Sequence, residues 1–415
     1  MVSKQRFYSL DVFRGATVCL MILVNNPGSW SYIYPPLEHA SWHGLTPTDL
    51  VFPFFLFAVG NAFSFVMPRL RDAGPKAFWR KIIKRTLIIF GIGLLLNWLP
   101  FVTHVHRFVN GADTLQEITI FKGFTWIDYS QNIAGQVIET VKGIRLLGVL
   151  QRIALCYFFA SIIIYYLQPR KAFFFGMFLL LCYWVLCYLA NPADPYSLQG
   201  WLGTAIDKSI FGEAHLYHGE GVAFDPEGLM STLPAIVQVI FGYMVGFYIQ
   251  HRSRETLNES AVITSNGLYR MLSGLFVIGV ALLITGYCWN WVFPINKKIW
   301  TSSYVVFTSG LAIVLIATMI YFIEIKKKRS RLFQFFNVFG KNALFVFALS
   351  GFLPRVLPLI SLGDGINPWN WMYKKVFIHT PGIPENGSLL YALFVISLMW
   401  LICYLLDKKK IYIKV

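Results

Sequence analysis

The chain alternates long apolar runs with polar connections of two kinds. A bilayer core needs roughly 20 mostly apolar residues per helix. Ten runs meet that need, at about 8–25, 47–68, 83–103, 144–167, 172–190, 229–250, 271–293, 302–324, 333–353 and 388–406. The pattern predicts an all-α polytopic transmembrane helical bundle, and an even number of spans puts both termini on one side. Most of the 36 Lys and Arg residues lie in the N-terminus, 69–85, 168–171, 251–270, 325–331 and the C-terminal tail. The positive-inside rule makes these connections cytoplasmic. The alternate segments then face outward, and three of them, 104–143, 191–228 and 354–387, are long and rich in Trp, Tyr, Gly and Pro. They are expected to be recognition loops on a single membrane domain spanning 1–415. Residues 354–363 are apolar but Pro-broken and too short to span, which predicts a re-entrant or surface segment buried against protein.

Composition agrees: 56% of the 415 residues are hydrophobic, 17% aromatic and 13% charged, outside the range of soluble globular domains. The formal charge of +16 does not form a basic patch interleaved with exposed aromatics, so nucleic-acid binding is excluded. The six cysteines sit in apolar runs without CxxC spacing and read as buried thiols, implying neither disulfides nor metal. The first apolar run lacks a small-residue cleavage site and is interrupted by Asp11 and Arg14, so it reads as a retained span.

The most informative stretch runs from Asn25 to Gly60. Thr46 is placed as an N-cap, Pro47 as the first helical residue, and Asp49 three residues after the cap can reach back to a free backbone N–H, as in a capping box. The helix end beside it attracts anions and favours a neutral imidazole on the segment carrying His39. A neutral imidazole can act as a base. The same residues also suit a plainer role, with His39 and Trp42 as interfacial side chains and Asp49 only a cap.

Ionisable residues inside spans are costly and mark either pairs or function. Asp11 and Arg14 lie within salt-bridge reach on one helix face, and Arg14 could alternatively meet a phosphate. Asn25 and Asn26 end the first span before Pro27 and Gly28, either as caps or as amides that orient a reacting group. Arg152 lies deep in a span and needs a partner: a carboxylate, a phosphate or a pantetheine amide. Asp225 reads as an N-cap with Pro226 first in the helix, and Glu227 either matches the helix dipole or holds a cationic amino sugar. Lys297 and Lys298 break the charge asymmetry at an outer boundary, through anion contact or by reaching to headgroups. Gly340, Lys341 and Asn342 suit close helix packing, with Lys341 also able to contact a phosphate. No Walker A loop, GxSxG elbow, HExxH or Cys/His metal spacing occurs. The pattern fits acyl transfer from a phosphate-bearing carrier and equally an anion or proton-coupled transporter.

Taken in order, Ser9-Leu-Asp-Val-Phe-Arg-Gly15, Val24-Asn25, the block from His39 to Phe55, Gly148-Val-Leu-Gln-Arg152, His215-Leu-Tyr217, Phe224-Asp-Pro-Glu-Gly228, Asn296-Lys297 with Trp300 and Tyr304, and Gly340 with Asn342 resemble the heparan-alpha-glucosaminide N-acetyltransferase family and its bacterial homologues. The resemblance implies a transmembrane acyltransferase that moves acetyl from acetyl-CoA, as co-substrate and without a metal, to the amino group of a glucosamine-type sugar across the bilayer. It implies that His39 is catalytic with Asn25 close by, and that the histidine serves either as general base, the reading favoured here, or as a transient acyl carrier. Arg14, Arg152, Lys341 and Asn342 are then expected on the donor, and Asp225, Glu227, Trp42 and Asp49 on the acceptor. Two features depart from the lysosomal members: the soluble domain and extra span ahead of the first motif are lacking, and the segment between Asn25 and His39 looks longer. The expected setting is the bacterial inner membrane, with lipid, an amino-sugar or oligosaccharide substrate and a homodimer as partners. An amino-sugar or anion transporter, and an O-acyltransferase of envelope glycans, are the alternatives.

Overall fold

The computed structural model describes residues 7–108, 115–131, 136–260, 265–363 and 365–413. Lys4, Arg6 and Lys414, counted above on the cytoplasmic side, lie outside them. The helices are α1 (Tyr8–Asn25), α2 (Val51–Asp72), α3 (Gly74–Trp98), α4 (Val149–Ala190), α5 (Leu202–Phe211), α6 (Leu229–Ser260), α7 (Ser265–Trp289), α8 (Ser302–Ile320), α9 (Arg331–Lys341), α10 (Ala343–Val356), α11 (Trp371–Lys375) and α12 (Pro384–Lys408). Among the described residues seven helices are long and apolar enough to cross a membrane, and the bent pair α9 and α10 makes eight. That is short of the ten apolar runs. The differences lie at α3, whose first half is strongly basic, and at α4, which runs through 42 residues as one element.

The all-α expectation fails in one place. Between α3 and α4 the chain forms two antiparallel hairpins, β1 (Val102–Phe108) with β2 (Leu115–Phe121) and β3 (Thr125–Gln131) with β4 (Val137–Gly143). Leu115, Ile118, Ile120 and the Thr and Glu residues between them give the near-alternation of a half-exposed strand.

Helices α2 and α6 form the centre. A Cβ on Gly242 would stand 2.1 Å from the Phe57 carbonyl oxygen, and one on Gly60 would stand 2.0 Å from that of Val239. Only glycine lets the two backbones meet this closely, the packing available to helices where lipid supplies no hydrophobic drive. Helix α1 packs on α9 in the same way, Gly340 lying against the Asp11 carbonyl.

The run read as a straight ninth span is broken. Helices α9 and α10 bend by 80° at Asn342, whose side chain donates to Ile411 O at 3.2 Å and accepts from Ile413 N at 2.8 Å. The Asn342 side chain thereby ties the C-terminal tail to the bend. The segment 354–363 also differs from expectation. Helix α10 continues through Pro354, with Val356 and Leu357 half-buried, while Leu359, Ile360 and Leu362 are each more than half exposed, so only the first part of this piece packs against protein.

Candidate functional site

The polypeptide between α1 and α2 is irregular, and one carboxylate holds it in place. Oδ2 of Asp49 accepts from Thr46 N at 3.0 Å, Ala40 N at 3.1 Å and Thr46 Oγ1 at 3.1 Å. The capping box read from the sequence is present, opening a short 3-10 turn at Pro47 that leads into α2. Thr46 Oγ1 also donates to Glu38 O at 2.6 Å, which draws the chain before His39 against the helix start. Oδ1 of the same carboxylate lies 2.7 Å from Nδ1 of His39. Asp49 is buried, whereas the His39 side chain is 47% exposed. A carboxylate only accepts, so the ring nitrogen facing it, Nδ1, carries a proton, and in the neutral tautomer that this requires Nε2 is the lone-pair nitrogen.

Lys297 completes this group. Its Nζ is 3.0 Å from Nδ1 and 3.1 Å from Nε2 of His39, and 3.7 Å from Asp49 Oδ1. Burial pushes its ammonium below the ordinary lysine value, against the pull of Asp49 and Glu227. Tyr304 donates to Asp49 O at 2.5 Å and Trp300 packs on Phe52, so the start of α8 braces the start of α2.

These side chains line a cavity of about 250 Å³, whose apolar wall is built by Met21, Val24, Val51, Phe52 and Phe347. Asn25 and Trp42 are also on its surface. The Asn25 amide nitrogen donates to Met21 O at 2.8 Å, as a cap does, and its oxygen accepts from no protein donor among the described residues. Trp42 donates from its indole to Tyr196 O at 2.8 Å and lies under Lys298, which pairs with Glu220 at 2.7 Å.

Arg145 is the group the sequence did not reveal. It sits between β4 and α4 and binds Asp225 through two bonds, at 2.9 and 2.6 Å, and Glu227 at 2.5 Å. Burial pushes Glu227 up, but Arg145, then Arg152 and Lys297, outweigh it and hold its carboxyl below the ordinary range. Its place at the start of the apolar run 144–167 was the available signal. Its partners lie 80 and 82 residues away.

Asp225 is not the N-cap of α6, which begins at Leu229. Its Oδ1 instead accepts from Glu227 N at 3.0 Å in a local turn, and the first amide of α6 is capped from α5 by Asp207 Oδ1 at 3.0 Å. Arg152 is fully buried and donates from one terminal nitrogen to Pro226 O at 2.5 Å, Gly228 O at 3.3 Å and Ser231, while stacked over Trp300. It fastens the turn that carries Glu227 and is not on the cavity surface.

Arg14, Lys341 and Asn342 gather elsewhere, toward the end of α1 opposite Asn25. Arg14 bonds Asp11 at 3.3 Å and Gly340 O at 3.5 Å, and Lys341 bonds both Asp407 oxygens at 2.7 and 2.8 Å. The sequence-predicted residues therefore divide between a cluster at His39 (Asn25, Trp42, Asp49, Glu227 with Asp225 behind it) and one at the α1–α9 contact. No group of three His, Cys, Asp or Glu suited to a metal occurs among the described residues.

The sequence model of the family described as heparan-alpha-glucosaminide N-acetyltransferase, catalytic, matches residues 6–213. The heparan-alpha-glucosaminide N-acetyltransferases of Mus musculus and Homo sapiens are each 24% identical to the chain over 463 residues, covering 100% and 99% of it and 61% and 60% of their own length. The chain thus spans about three fifths of the curated relatives it matches. The family match takes in the half that supplies His39, Asp49, Arg145 and Arg152, and on it the chain belongs to the heparan-alpha-glucosaminide N-acetyltransferase catalytic family.

Proposed function

We propose that the protein is a multi-pass membrane acetyltransferase that passes acetyl from acetyl-CoA to the amine of a glucosamine-type sugar on the outer side of a bacterial inner membrane. The observation that carries this reading is the buried Asp49 carboxylate 2.7 Å from Nδ1 of His39, at the surface of a cavity with one apolar wall and one charged wall. The apolar wall suits the narrow thioester end of the donor. The charged wall suits a polar acceptor. Donor and acceptor are both substrates, and acetyl-CoA supplies the activated acyl group.

In this reading Asp49 holds the Nδ1 proton, so that Nε2 of His39, once Lys297 turns away from it, takes a proton from the acceptor amine as nitrogen attacks the thioester carbonyl. Attack forms the N–C bond, the carbon–sulfur bond breaks, and CoA leaves as the thiol once it regains a proton. Lys297, beside the ring, is placed to shift its hydrogen bonds from imidazole to the carbonyl oxygen as negative charge develops there. The free oxygen of Asn25 suits an amine donor. Arg14, Lys341 and Asn342 are proposed for the donor's phosphates, and the hairpins with 191–228 and 354–387 for outer recognition.

Ten spans with both termini cytoplasmic are part of the proposal. Helix α3 is 25 residues long, enough to cross. Helix α4 at 42 residues would run roughly 60 Å, twice a bilayer core, and it breaks at Gln168, where φ is 60°. Counting α3, and α4 as two, gives the even number that the basic connections require.

The test is made with purified protein in proteoliposomes, supplied with acetyl-CoA and glucosamine. N-acetylated product by mass spectrometry is expected. Labelled-sugar counterflow without CoA, and no acetylated product, would replace the enzyme with a transporter.

A further inference from the structure

Asp49, His39 and Lys297 form a chain of contacts with the layout of an activated nucleophile. Oδ1 of Asp49 lies 2.7 Å from Nδ1 of His39, and Nζ of Lys297 lies 3.1 Å from Nε2. Nucleophilic side chains are activated by a base within about 2.6–3.2 Å that is itself oriented by a third group. Here the orienting group is the carboxylate, the base is the imidazole, and the remaining member is an amine.

Two lysines line this cavity, and their surroundings differ. Lys298 donates from Nζ to Glu220 and to Ser41 O, each at 2.7 Å. Lys297 has its nearest carboxylate oxygen, Asp49 Oδ1, at 3.7 Å, and rests instead on the ring of His39. Burial holds its ammonium below the ordinary lysine value, so more of it is present as the neutral amine than in an exposed lysine. An Nζ placed to meet the oxygen of a bound thioester carbonyl is also within reach of the carbon that bears it.

We propose that Lys297 is a self-acetylation site, its Nζ taking the acetyl group when the donor is bound and no acceptor amine has displaced it from His39. The inference rests on the acetyltransferase reading for its donor, acetyl-CoA. Neutral Nζ attacks the thioester carbonyl and forms the N–C bond, while Nε2 of His39 takes the proton that nitrogen gives up. The carbon–sulfur bond breaks, and the imidazolium returns that proton to the departing thiolate. The products are acetyllysine at position 297 and free CoA. The new amide is uncharged, no longer nucleophilic and far less reactive than a thioester, so a sugar amine does not take the acetyl group back. It also removes the cation that faces the thioester oxygen during transfer. The modification is therefore a brake that sets in when donor is present without acceptor.

The experiment incubates the full chain in nanodiscs with acetyl-CoA, with and without glucosamine, and scores each lysine for acetylation by peptide mass spectrometry. Lys298 is the control from the same cavity. Without sugar, Lys297 is expected to react roughly tenfold or more faster than Lys298, and His39→Ala and Asp49→Asn should each slow it by about 10²-fold, as loss of a positioned base does. Two variants are used because they perturb the fold differently, and both are melted alongside wild type. Glucosamine should protect Lys297, and wild type preincubated with donor should lose sugar transfer in step with occupancy at 297. Acetylation of Lys297 no faster than of Lys298, or undiminished in both variants, is acylation from solution and overturns the proposal. Unmodified Lys297 in protein that acetylates glucosamine also overturns it and leaves the acetyltransferase reading standing. Undiminished sugar transfer by protein fully acetylated at 297 overturns the brake. His39-dependent acetylation of Lys297 with no product on any amino sugar would sink the sugar-transfer reading and keep the site.

Discussion

The Asp49 carboxylate lies 2.7 Å from Nδ1 of His39 with one oxygen and caps the start of the second membrane helix with the other. Fold and site therefore share one group. The two duties separate by mutation. Asp49→Asn puts an amide where the ring needs an acceptor, and it is expected to lower kcat by about 10²-fold or more through the wrong tautomer. Thr46→Ala removes the hydroxyl that bonds Asp49 Oδ2 and Glu38 O but leaves the Asp49 to His39 contact in place. It should cost about 1 kcal/mol of stability and leave kcat within about twofold. Steady-state kinetics and melting of both variants check this.

Arg145 answers two buried carboxylates at once. Removing it as Arg145→Gln leaves Asp225, fully buried, without its counter-ion. Breaking such a pair costs about 3–5 kcal/mol. A large drop in melting temperature is expected, and adding Asp225→Asn should recover part of it. If the single variant melts with wild type, the ion triad is not holding the β4–α4 connection to the α6 entry.

Asp207 gives a pH dependence with a definite sign. Burial raises its carboxyl, the Leu229 amide pulls it back, and the charge of Asp225 adds to the rise, leaving it at about 6. Its Oδ2 is buried with no hydrogen-bond partner among the described residues. The folded state thus prefers the protonated acid, and stability is fully present below the unfolded value near 4 and declines as pH rises through 6. The loss approaches about 3 kcal/mol. Wild type should melt higher at pH 5 than at pH 7.5, and Asp207→Asn, which keeps the oxygen that caps Leu229, should flatten that difference.

The central helix pair makes a structural prediction with an internal control. A methyl at Gly242 would meet the Phe57 carbonyl at 2.1 Å, whereas one at Gly91 meets nothing within 4 Å. Gly242→Ala is expected to destabilise by about 1–3 kcal/mol or more through forced separation of α2 and α6. Gly91→Ala should be neutral or slightly stabilising. Thermal melting in detergent compares them directly.

What could be read from the sequence was local. The Thr46 to Asp49 cap spans three residues, and the Asp11 to Arg14 pair one helical turn, so spacing alone fixed both. The apolar runs placed the helices because a bilayer demands length and little else. What spacing could not reach were contacts closed by tertiary packing: Asp49 to His39 across ten residues of irregular chain, Lys297 to His39 across 258, Arg145 to its acids across 80. Asp225 read as a helix cap because its neighbours have the right types, yet Asp207 from α5 took that duty. The hairpins were hidden by their setting, short alternating strands inside a segment that the membrane pattern marks only as a loop. The bend at Asn342 was equally silent, since an apolar run does not record where the C-terminal tail will dock.

In the proposed mechanism the imidazole of His39 takes the proton of the acceptor amine. Its most direct test is acetyl transfer to glucosamine by folded, purified wild type and His39→Ala, followed as kcat/KM with product mass spectrometry. The account predicts an N-acetylated product from wild type and a loss of about 10²–10⁴-fold in the variant, the usual worth of a positioned base. Full transfer by His39→Ala would contradict it.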